Sequence, residues 1–341
     1  MLYNTDDLRI TGMQEVLPPI TLHQELPITD LASETVFNAR SAMQKILHGK
    51  DDRLVVIIGP CSIHDPDAAR EYASRLKPLI SELKGELQII MRVYFEKPRS
   101  VVGWKGLIND PYLDGSFKIN DGLHLARKLL LDLAEMGVPA GSEYLDLISP
   151  QYIADLISWG AIGARTTESQ AHRELASGLS CPVGFKNATD GGLQIAVDAC
   201  LSASKPHHFM SLTKAGHSAI FSTTGNPDCH VILRGGKTPN YDSASINETA
   251  EIIGRTGLKP HFMVDCSHAN SGKSHIQQEV VCRDVVNQIA HGENRIMGLM
   301  LESNLVAGRQ NVEDGKALVY GQSITDACMA WDNSDVLLRE L

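Results

Sequence analysis

The sequence predicts an α/β fold in which eight parallel strands close into a (β/α)8 (TIM) barrel, with an N-terminal extension and one inserted β-hairpin. Three observations carry this prediction. Short apolar, β-branched runs recur eight times between residues 54 and 301. Amphipathic stretches of helix length separate them. The 341 residues also suffice for one large barrel with its helical shell.

The elements follow in order. Residues 1–33 contain Pro18, Pro19 and Pro27, which interrupt any long helix, so this stretch reads as an arm. Residues 34–48 place Val36, Ala39, Met43, Ile46 and Leu47 on one helical face. Arm and helix form a first unit, 1–49, and the catalytic barrel a second, 50–341. The strands are read at 54–59, 87–93, 139–144, 160–165, 182–186, 230–234, 261–265 and 296–301. Helices are expected at 66–83, 121–136, 150–158, 168–178, 192–204, 244–256 and 276–291. Residues 207–223 read as the hairpin, turning near Ala215-Gly216. A loop to Gly321 and a helix from about Thr325 to Leu341 end the chain. Alternation alone would also suit a doubly wound sheet; the count of eight favours the barrel.

Composition narrows the function. Acidic residues outnumber basic ones 41 to 31, a net charge of −10, which argues against a nucleic-acid partner. A hydrophobic content of 43% excludes wholesale disorder. No apolar run approaches the ~20 residues of a membrane span, and MLYNTDDLRI does not read as a secretory signal, so a cytoplasmic location is expected. Seven scattered cysteines without a C-x-x-C pair suit a reducing compartment rather than a disulfide framework or zinc ribbon.

Barrel enzymes place their chemistry at the C-terminal ends of the strands. Those ends here gather Arg92, Lys97, Arg99, Arg165, Lys186 and Arg234. A lone arginine there is usually a solvated charge. Six cations from several strands are costly together unless an anion sits among them, so the substrates are expected to carry phosphate and carboxylate groups. The same rim collects Cys61, His268, Glu302 and Asp326. Taken singly, Cys61 reads as a buried small residue and His268 as a satisfied polar side chain. Together they suit one divalent metal ion, and Mn, Fe, Co, Zn and Cu all remain open for mixed thiolate, imidazole and carboxylate ligands.

Long motifs then resemble one family. Gly59-Pro60-Cys61-Ser62-Ile63-His64, Arg92-Val93-Tyr94-Phe95-Glu96-Lys97-Pro98-Arg99, Gly103-Trp104-Lys105-Gly106, Gly163-Ala164-Arg165-Thr166-Thr167-Glu168-Ser169, Gly184-Phe185-Lys186-Asn187, Arg234-Gly235-Gly236-Lys237 and Ser267-His268 resemble type I 3-deoxy-D-arabino-heptulosonate 7-phosphate (DAHP) synthases. The resemblance covers essentially the whole chain. It implies condensation of phosphoenolpyruvate with erythrose 4-phosphate, release of phosphate, and a place at the head of the shikimate pathway to aromatic amino acids. By position it makes Cys61, His268, Glu302 and Asp326 the metal ligands. Arg92, Lys97, Arg165, Lys186 and Arg234 would bind phosphoenolpyruvate, with Lys97 also a candidate general acid. Arg99 and Ser100 would bind the phosphate of erythrose 4-phosphate. Two positions depart from the pattern: Ser100 stands where Thr is common, and Ala188 where Gly is usual, which would cost about 1 kcal/mol if that position needed positive φ.

The resemblance further implies a homodimer or homotetramer and feedback inhibition by an aromatic amino acid. The effector pocket falls on Leu147, Pro150, Gln151, Leu179, Ser180, Phe209, Ser211 and Phe221, with Asp6 and Asp7 of the arm reaching a neighbouring subunit. Tyrosine-type relatives carry Gly at position 211 and tryptophan-type relatives Gly at 150. Ser211 and Pro150 narrow the pocket and point to phenylalanine. A sister aldolase that condenses phosphoenolpyruvate with another sugar, and a non-catalytic effector-binding homologue, are the rival readings. The first shares only scattered motifs, and the second is disfavoured by the complete residue set.

Overall fold

A computed structural model describes residues 3–99, 101–313 and 315–341. Eight strands close a barrel in which every neighbouring pair is parallel. They are β1 (Leu54–Gly59), β2 (Leu87–Arg92), β3 (Ala140–Glu143), β4 (Ile157–Ile162), β5 (Val183–Lys186), β8 (Cys229–Leu233), β9 (Phe262–Asp265) and β10 (Ile296–Glu302). The strands β6 (His208–Leu212) and β7 (Ser218–Ser222) form the antiparallel hairpin between β5 and β8. Its turn uses Gly216 at φ +84°, where a Cβ is disfavoured. The barrel read from the sequence is therefore the fold.

Each barrel strand is buried along almost its whole length because both of its faces are covered. In β1, Val55 and Ile57 point into the lumen, where they meet Ile90, Trp159, Ile232, Met263 and Met300. Val56 and Ile58 point outward to the helical shell. That shell is α3 (Pro66–Glu82), α4 (Ile119–Glu135), the short α5 (Pro150–Ile153), α6 (Gln170–Gly178), α7 (Gln194–Ala203), α8 (Ser243–Gly254), α9 (Gln277–Ala290) and α10 (Trp331–Glu340). Two helices precede it, α1 (Pro19–Glu25) and α2 (Asp30–Leu47). Met43, Ile46 and Leu47 of α2 join the lumen cluster, so α2 closes the N-terminal end of the barrel and leaves the other end for chemistry. Thr29 accepts a hydrogen bond from the Ala32 amide and starts α2 four residues before the expected boundary.

Three stretches differ from the sequence reading. The helix expected at 150–158 stops at Ile153 and tightens into a 3₁₀ turn at Ala154–Leu156. The Arg40 guanidinium donates to the Ala154 and Ile157 carbonyls there and lets β4 begin at Ile157, three residues early. The expected loop 302–321 contains β11 (Val306–Arg309), which pairs with β12 (Gln322–Ser323). The last helix begins at Trp331 rather than near Thr325. Residues 324–326 form a bend instead, and Cys328 and Met329 bridge back to the segment after β10, through Asn304 N to Met329 O and Met329 N to Glu302 O, both 2.9 Å. The arm is exposed over residues 3–16. It becomes fixed where Leu17 N donates to Asn120, Tyr152 donates to Leu17 O, and Ile20 N donates to Lys214 O of the hairpin turn.

Met43→Ala removes a fully buried side chain from the base of the lumen, and a loss of about 2–4 kcal/mol is expected. Thermal unfolding should show a lower Tm, while turnover per folded molecule at the opposite end stays near the parent value.

Candidate active site

The site grows from residues that close strands. Cys61 follows β1 by two residues and is completely buried. Glu302 closes β10, and the bend at 324–326, anchored by the Met329 backbone bonds, brings Asp326 alongside. Ligand atoms of Cys61, Glu302 and Asp326 lie within 4.8 Å of one another. Cys61 Sγ is 3.7 Å from Asp326 Oδ2. His268 stands just outside this group, its Nε2 3.8 Å from Glu302 Oε1. It follows β9 with a left-handed backbone, φ +56°, a strained conformation for a side chain of this size. Asp265 Oδ2 lies 2.8 Å from His268 Nδ1. A proton on Nδ1 leaves the Nε2 lone pair facing the cluster.

Two cations hold the group together. Lys97 Nζ donates to Cys61 Sγ at 3.1 Å. Arg92, with no exposed surface, donates to the carbonyls of Pro60 and Cys61, at 3.1 and 3.2 Å. Its Nη2 forms an ion pair with Glu302 Oε1 at 3.0 Å, but that oxygen has no aligned hydrogen bond. A buried carboxylate oxygen without a donor is costly. It fits a cation set among Glu302, Cys61 and Asp326. Burial pushes the Cys61 thiol up, and the Glu302 charge adds to that, while Lys97 opposes both. Burial also acts to raise Asp326, but Lys97 and His268 outweigh it and hold the carboxyl below its usual range. At Lys97 burial favours the neutral amine, and Cys61 and Glu302 more than reverse that, so the ammonium is retained.

Beside the cluster opens a cleft lined by Lys97, Arg99, Arg165, Lys186, Arg234 and Lys273, with Glu143 as its buried carboxylate. Lys186 Nζ bonds Asp265 Oδ2 at 2.8 Å, one buried carboxylate thus serving Lys186 and His268 together. Asp265 lies well below the carboxylate range: burial works to raise it, and the charges of His268 and Lys186 overcome that. Arg165 is exposed in the turn after β4, and burial lowers Arg234. Arg99 is exposed, its Nε donating to Trp104 O at 2.7 Å. The structure thus brings Lys97, Arg99, Arg165, Lys186 and Arg234 around one cleft, with Arg92 enclosed behind the cluster. Ser100 lies outside the described residues. Gly163 lets Glu143 in, since a Cβ there would stand 2.1 Å from Glu143 Oε1. Ala188 has no positive φ; the left-handed residue of that loop is Gly191, at φ +105°.

A cavity of about 940 Å³ lies at the opposite end of the barrel, lined by His48, Arg53 and Met297 among others, away from these groups. No described helix is long and apolar enough to cross a membrane.

The residues marked for an effector sit to one side. Phe209 and Ser211 share the inner face of β6, and Phe221 faces Phe209 from β7 with ring centroids 6.0 Å apart. Pro150 is buried, and the Gln151 carbonyl accepts from His23 Nε2 and from Lys214 Nζ. Leu147 and Ser180 are exposed, Leu179 half-buried, and Asp6 and Asp7 lie exposed in the arm. Asp265 and Glu143 received no role from the sequence, although each closes a strand at the rim, the signal by which they could have been found.

A model of the DAHP synthetase I family matches residues 28–339. The chain belongs to the DAHP synthetase I family. The family resemblance and enzyme class read from the motifs are thereby borne out. Among relatives of this DAHP synthetase I chain, the Phe-sensitive phospho-2-dehydro-3-deoxyheptonate aldolase of Escherichia coli is 61% identical over 341 residues, covering 100% of this chain and 97% of that protein. The Tyr-sensitive enzyme of the same strain is 51% identical over 337 residues, 98% of this chain and 95% of that protein. A solved structure of the phospho-2-dehydro-3-deoxyheptonate aldolase from Francisella tularensis superposes with TM-score 0.95 at 52% identity, covering 97% of this chain and 96% of that one.

At the edge of the cleft, Glu96 accepts from Ser149 Oγ, and burial followed by the nearby Asp146 charge raises its carboxyl to about 7. A carboxyl with an unfolded value of ~4.3 that is raised on folding stabilises the fold fully below that value and loses the contribution as pH climbs through the folded value. Between pH 5 and pH 8 the parent should lose about 2–3 kcal/mol more stability than Glu96→Gln, measured by urea unfolding of both proteins at the two pH values.

Proposed function

We propose that this enzyme condenses phosphoenolpyruvate with erythrose 4-phosphate to give DAHP and phosphate, using one divalent metal ion, and that phenylalanine inhibits it. The observation that carries this reading is the Cys61–Glu302–Asp326 group with the free Glu302 Oε1, opening beside a cleft of five or more cations. Cys61, His268, Glu302 and Asp326 would hold the metal, which when bound supplies Lewis acidity toward the aldehyde oxygen of erythrose 4-phosphate. Arg165, Lys186 and Arg234 provide charge-assisted contacts for the phosphate and carboxylate of phosphoenolpyruvate. Arg92 supports that site from behind by fixing the turn that bears Cys61.

The reaction needs three events. The enol carbon of phosphoenolpyruvate attacks the aldehyde carbon, water adds at C2 where positive charge develops, and the C–O bond to phosphate breaks. Lys97 stays charged between Cys61 and the cleft, which is the state required to give a proton to the forming hydroxyl. Arg99, with Ser100, is assigned to the phosphate of erythrose 4-phosphate, and its exposure at the cleft mouth suits a group that meets the second substrate.

Phenylalanine is preferred as effector because Ser211 places a hydroxymethyl group on the inner hairpin face near Phe209 and Phe221, where a phenolic oxygen would need room. The 61% identity to a Phe-sensitive relative, against 51% to a Tyr-sensitive one, supports the same choice. The exposed arm, with Asp6 and Asp7, is assigned to contacts in a homodimer or homotetramer. The division into a contact-forming unit, 1–49, and a catalytic barrel, 50–341, belongs to the same reading.

Cys61→Ala should lose metal-dependent turnover and bound metal together while keeping the parent's circular dichroism; retained activity with normal metal content would refute the assignment. Arg165 is exposed and so can be truncated cleanly. Arg165→Ala should raise the KM for phosphoenolpyruvate by roughly tenfold to a hundredfold, the equivalent of ~1.5–3 kcal/mol. Titration of activity with phenylalanine, tyrosine and tryptophan should show phenylalanine most potent, and Ser211→Gly should move sensitivity toward tyrosine. Equal potency of phenylalanine and tyrosine on the parent would remove Ser211 as the discriminator.

A further inference from the structure

We propose that Asp265 is a positioning residue shared by the two halves of the site: a single carboxylate oxygen holds Lys186 for phosphoenolpyruvate and His268 for the metal ion, and so links the binding of the two. This deepens the functional reading and rests on His268 being a metal ligand and on Lys186 meeting phosphoenolpyruvate. The argument begins with strand register. Asp265 closes β9 two residues after Met263, and Lys186 closes β5 in register with Ile232. Met263 and Ile232 point into the lumen, so Asp265 and Lys186 share that face. They meet across the end of β8, the strand that lies between β5 and β9.

Donors from three residues converge on the Asp265 carboxylate. Ser267 N and Ser267 Oγ donate to Oδ1 at 3.0 and 2.6 Å. Lys186 Nζ donates to Oδ2 at 2.8 Å, and His268 Nδ1 lies 2.8 Å from the same oxygen. Ser267 Oγ also stands 2.6 Å from His268 Nδ1, so both routes from the imidazole end on Asp265. The backbone is pinned as well. Asn270 Nδ2 donates to Asp265 O, and Cys266 N donates to Met300 O, both at 2.9 Å. Asp265 has no exposed surface. Apolar residues often replace an enclosed ion pair without loss of stability, so the reason for this one lies in the site rather than in the fold.

The other sides of the two cations supply that reason. Lys186 and His268 both line the cleft, whereas Asp265 is enclosed. With one N–H on Asp265, the Lys186 ammonium keeps two donors for an anion in the cleft. With Nδ1 committed to Asp265, His268 Nε2 faces Glu302 Oε1 at 3.8 Å, on the side of the metal-ligand group. A carboxylate on the far nitrogen of a ligating histidine fixes its ring and its tautomer. His268 takes this position with its backbone at φ +56°, a strain that persists where surrounding contacts hold it. Asp265 thus touches neither substrate nor ion and acts through the residues that do. When a substrate anion draws on Lys186, more of the Asp265 charge is left to His268, and the two binding events become linked.

The test uses full-length enzyme. Zinc affinity is measured by competition with a chromophoric chelator, and phosphoenolpyruvate affinity by calorimetry at saturating zinc. Asp265→Asn keeps the shape of the side chain and removes its charge. It should weaken zinc by about tenfold to a hundredfold, the range for loss of a carboxylate behind a ligating histidine. It should weaken phosphoenolpyruvate about tenfold, as a charge-assisted contact gives way to a neutral one. Ser267→Ala removes one bond to Oδ1, should weaken both ligands by about threefold, and serves if Asp265→Asn does not fold. Weakening of one ligand alone would show that Asp265 supports one half only and would overturn the sharing; parent-like affinity for both would do the same. Lys186→Met gives a readout that a structural role would not move. Lys186 is not a metal ligand, yet its loss should tighten zinc about threefold more in the parent than in Asp265→Asn. The missing positive charge acts on the ion in both backgrounds, so the difference reports the path through Asp265, and equal changes would overturn the link. A parent that binds neither zinc nor phosphoenolpyruvate refutes the functional reading and this inference with it. A parent that binds both, beside variants that match it, refutes this inference alone.

Discussion

Burial of charge around Glu302 is the constraint on which the rest of the site depends. Glu302, Cys61 and Asp326 converge within 4.8 Å, two of them nearly or fully enclosed. Desolvated acidic groups at that spacing repel and would protonate unless cations answer them. Arg92 and Lys97 answer from one side, through the 3.0 Å approach to Glu302 and the 3.1 Å bond to Cys61. Glu302 Oε1 is left without an aligned hydrogen bond, which fits a cation set among these three groups. The same principle recurs one strand over, where Asp265 answers Lys186 and His268 together.

The barrel makes this arrangement possible by separating its ends. α2 seals the N-terminal end with Met43, Ile46 and Leu47, so the apolar lumen carries stability. At the other end β1, β2, β9 and β10 terminate in Gly59, Arg92, Asp265 and Glu302, and their parallel register brings those ends to one rim. The C-terminal segment 325–329 then crosses the rim and adds Asp326. A site assembled from residues 61, 92, 97, 265, 268, 302 and 326 exists only when the barrel is closed.

Much of this was legible in the sequence because parallel strands buried on both faces read as continuous apolar runs, and the residue closing each run lands at the rim. Cys61, Arg92, Lys186 and Glu302 were found that way. The readings that slipped did so where a distant side chain decides local structure. Arg40, more than a hundred residues away in the chain, ends the helix after Ile153 and moves β4 to Ile157. The last helix is delayed to Trp331 because backbone bonds from Met329 to Glu302 and Asn304 hold the preceding residues out of a helix. Part of the role of Asp265 has the same cause: His268 lies only three residues on, but Lys186, 79 residues away, meets Asp265 only after the barrel closes. Nothing local in the sequence marks Glu96, because its partner Ser149 lies 53 residues on.

The most direct measurement of the central claim is X-ray absorption spectroscopy of the protein loaded with one equivalent of zinc. A charge-deficient pocket formed by Cys61, His268, Glu302 and Asp326 should give a single sulfur scatterer at about 2.3 Å together with nitrogen and oxygen scatterers near 2.0–2.2 Å. A spectrum with no sulfur shell, from protein that binds its equivalent of metal, would place the ion elsewhere and contradict the account.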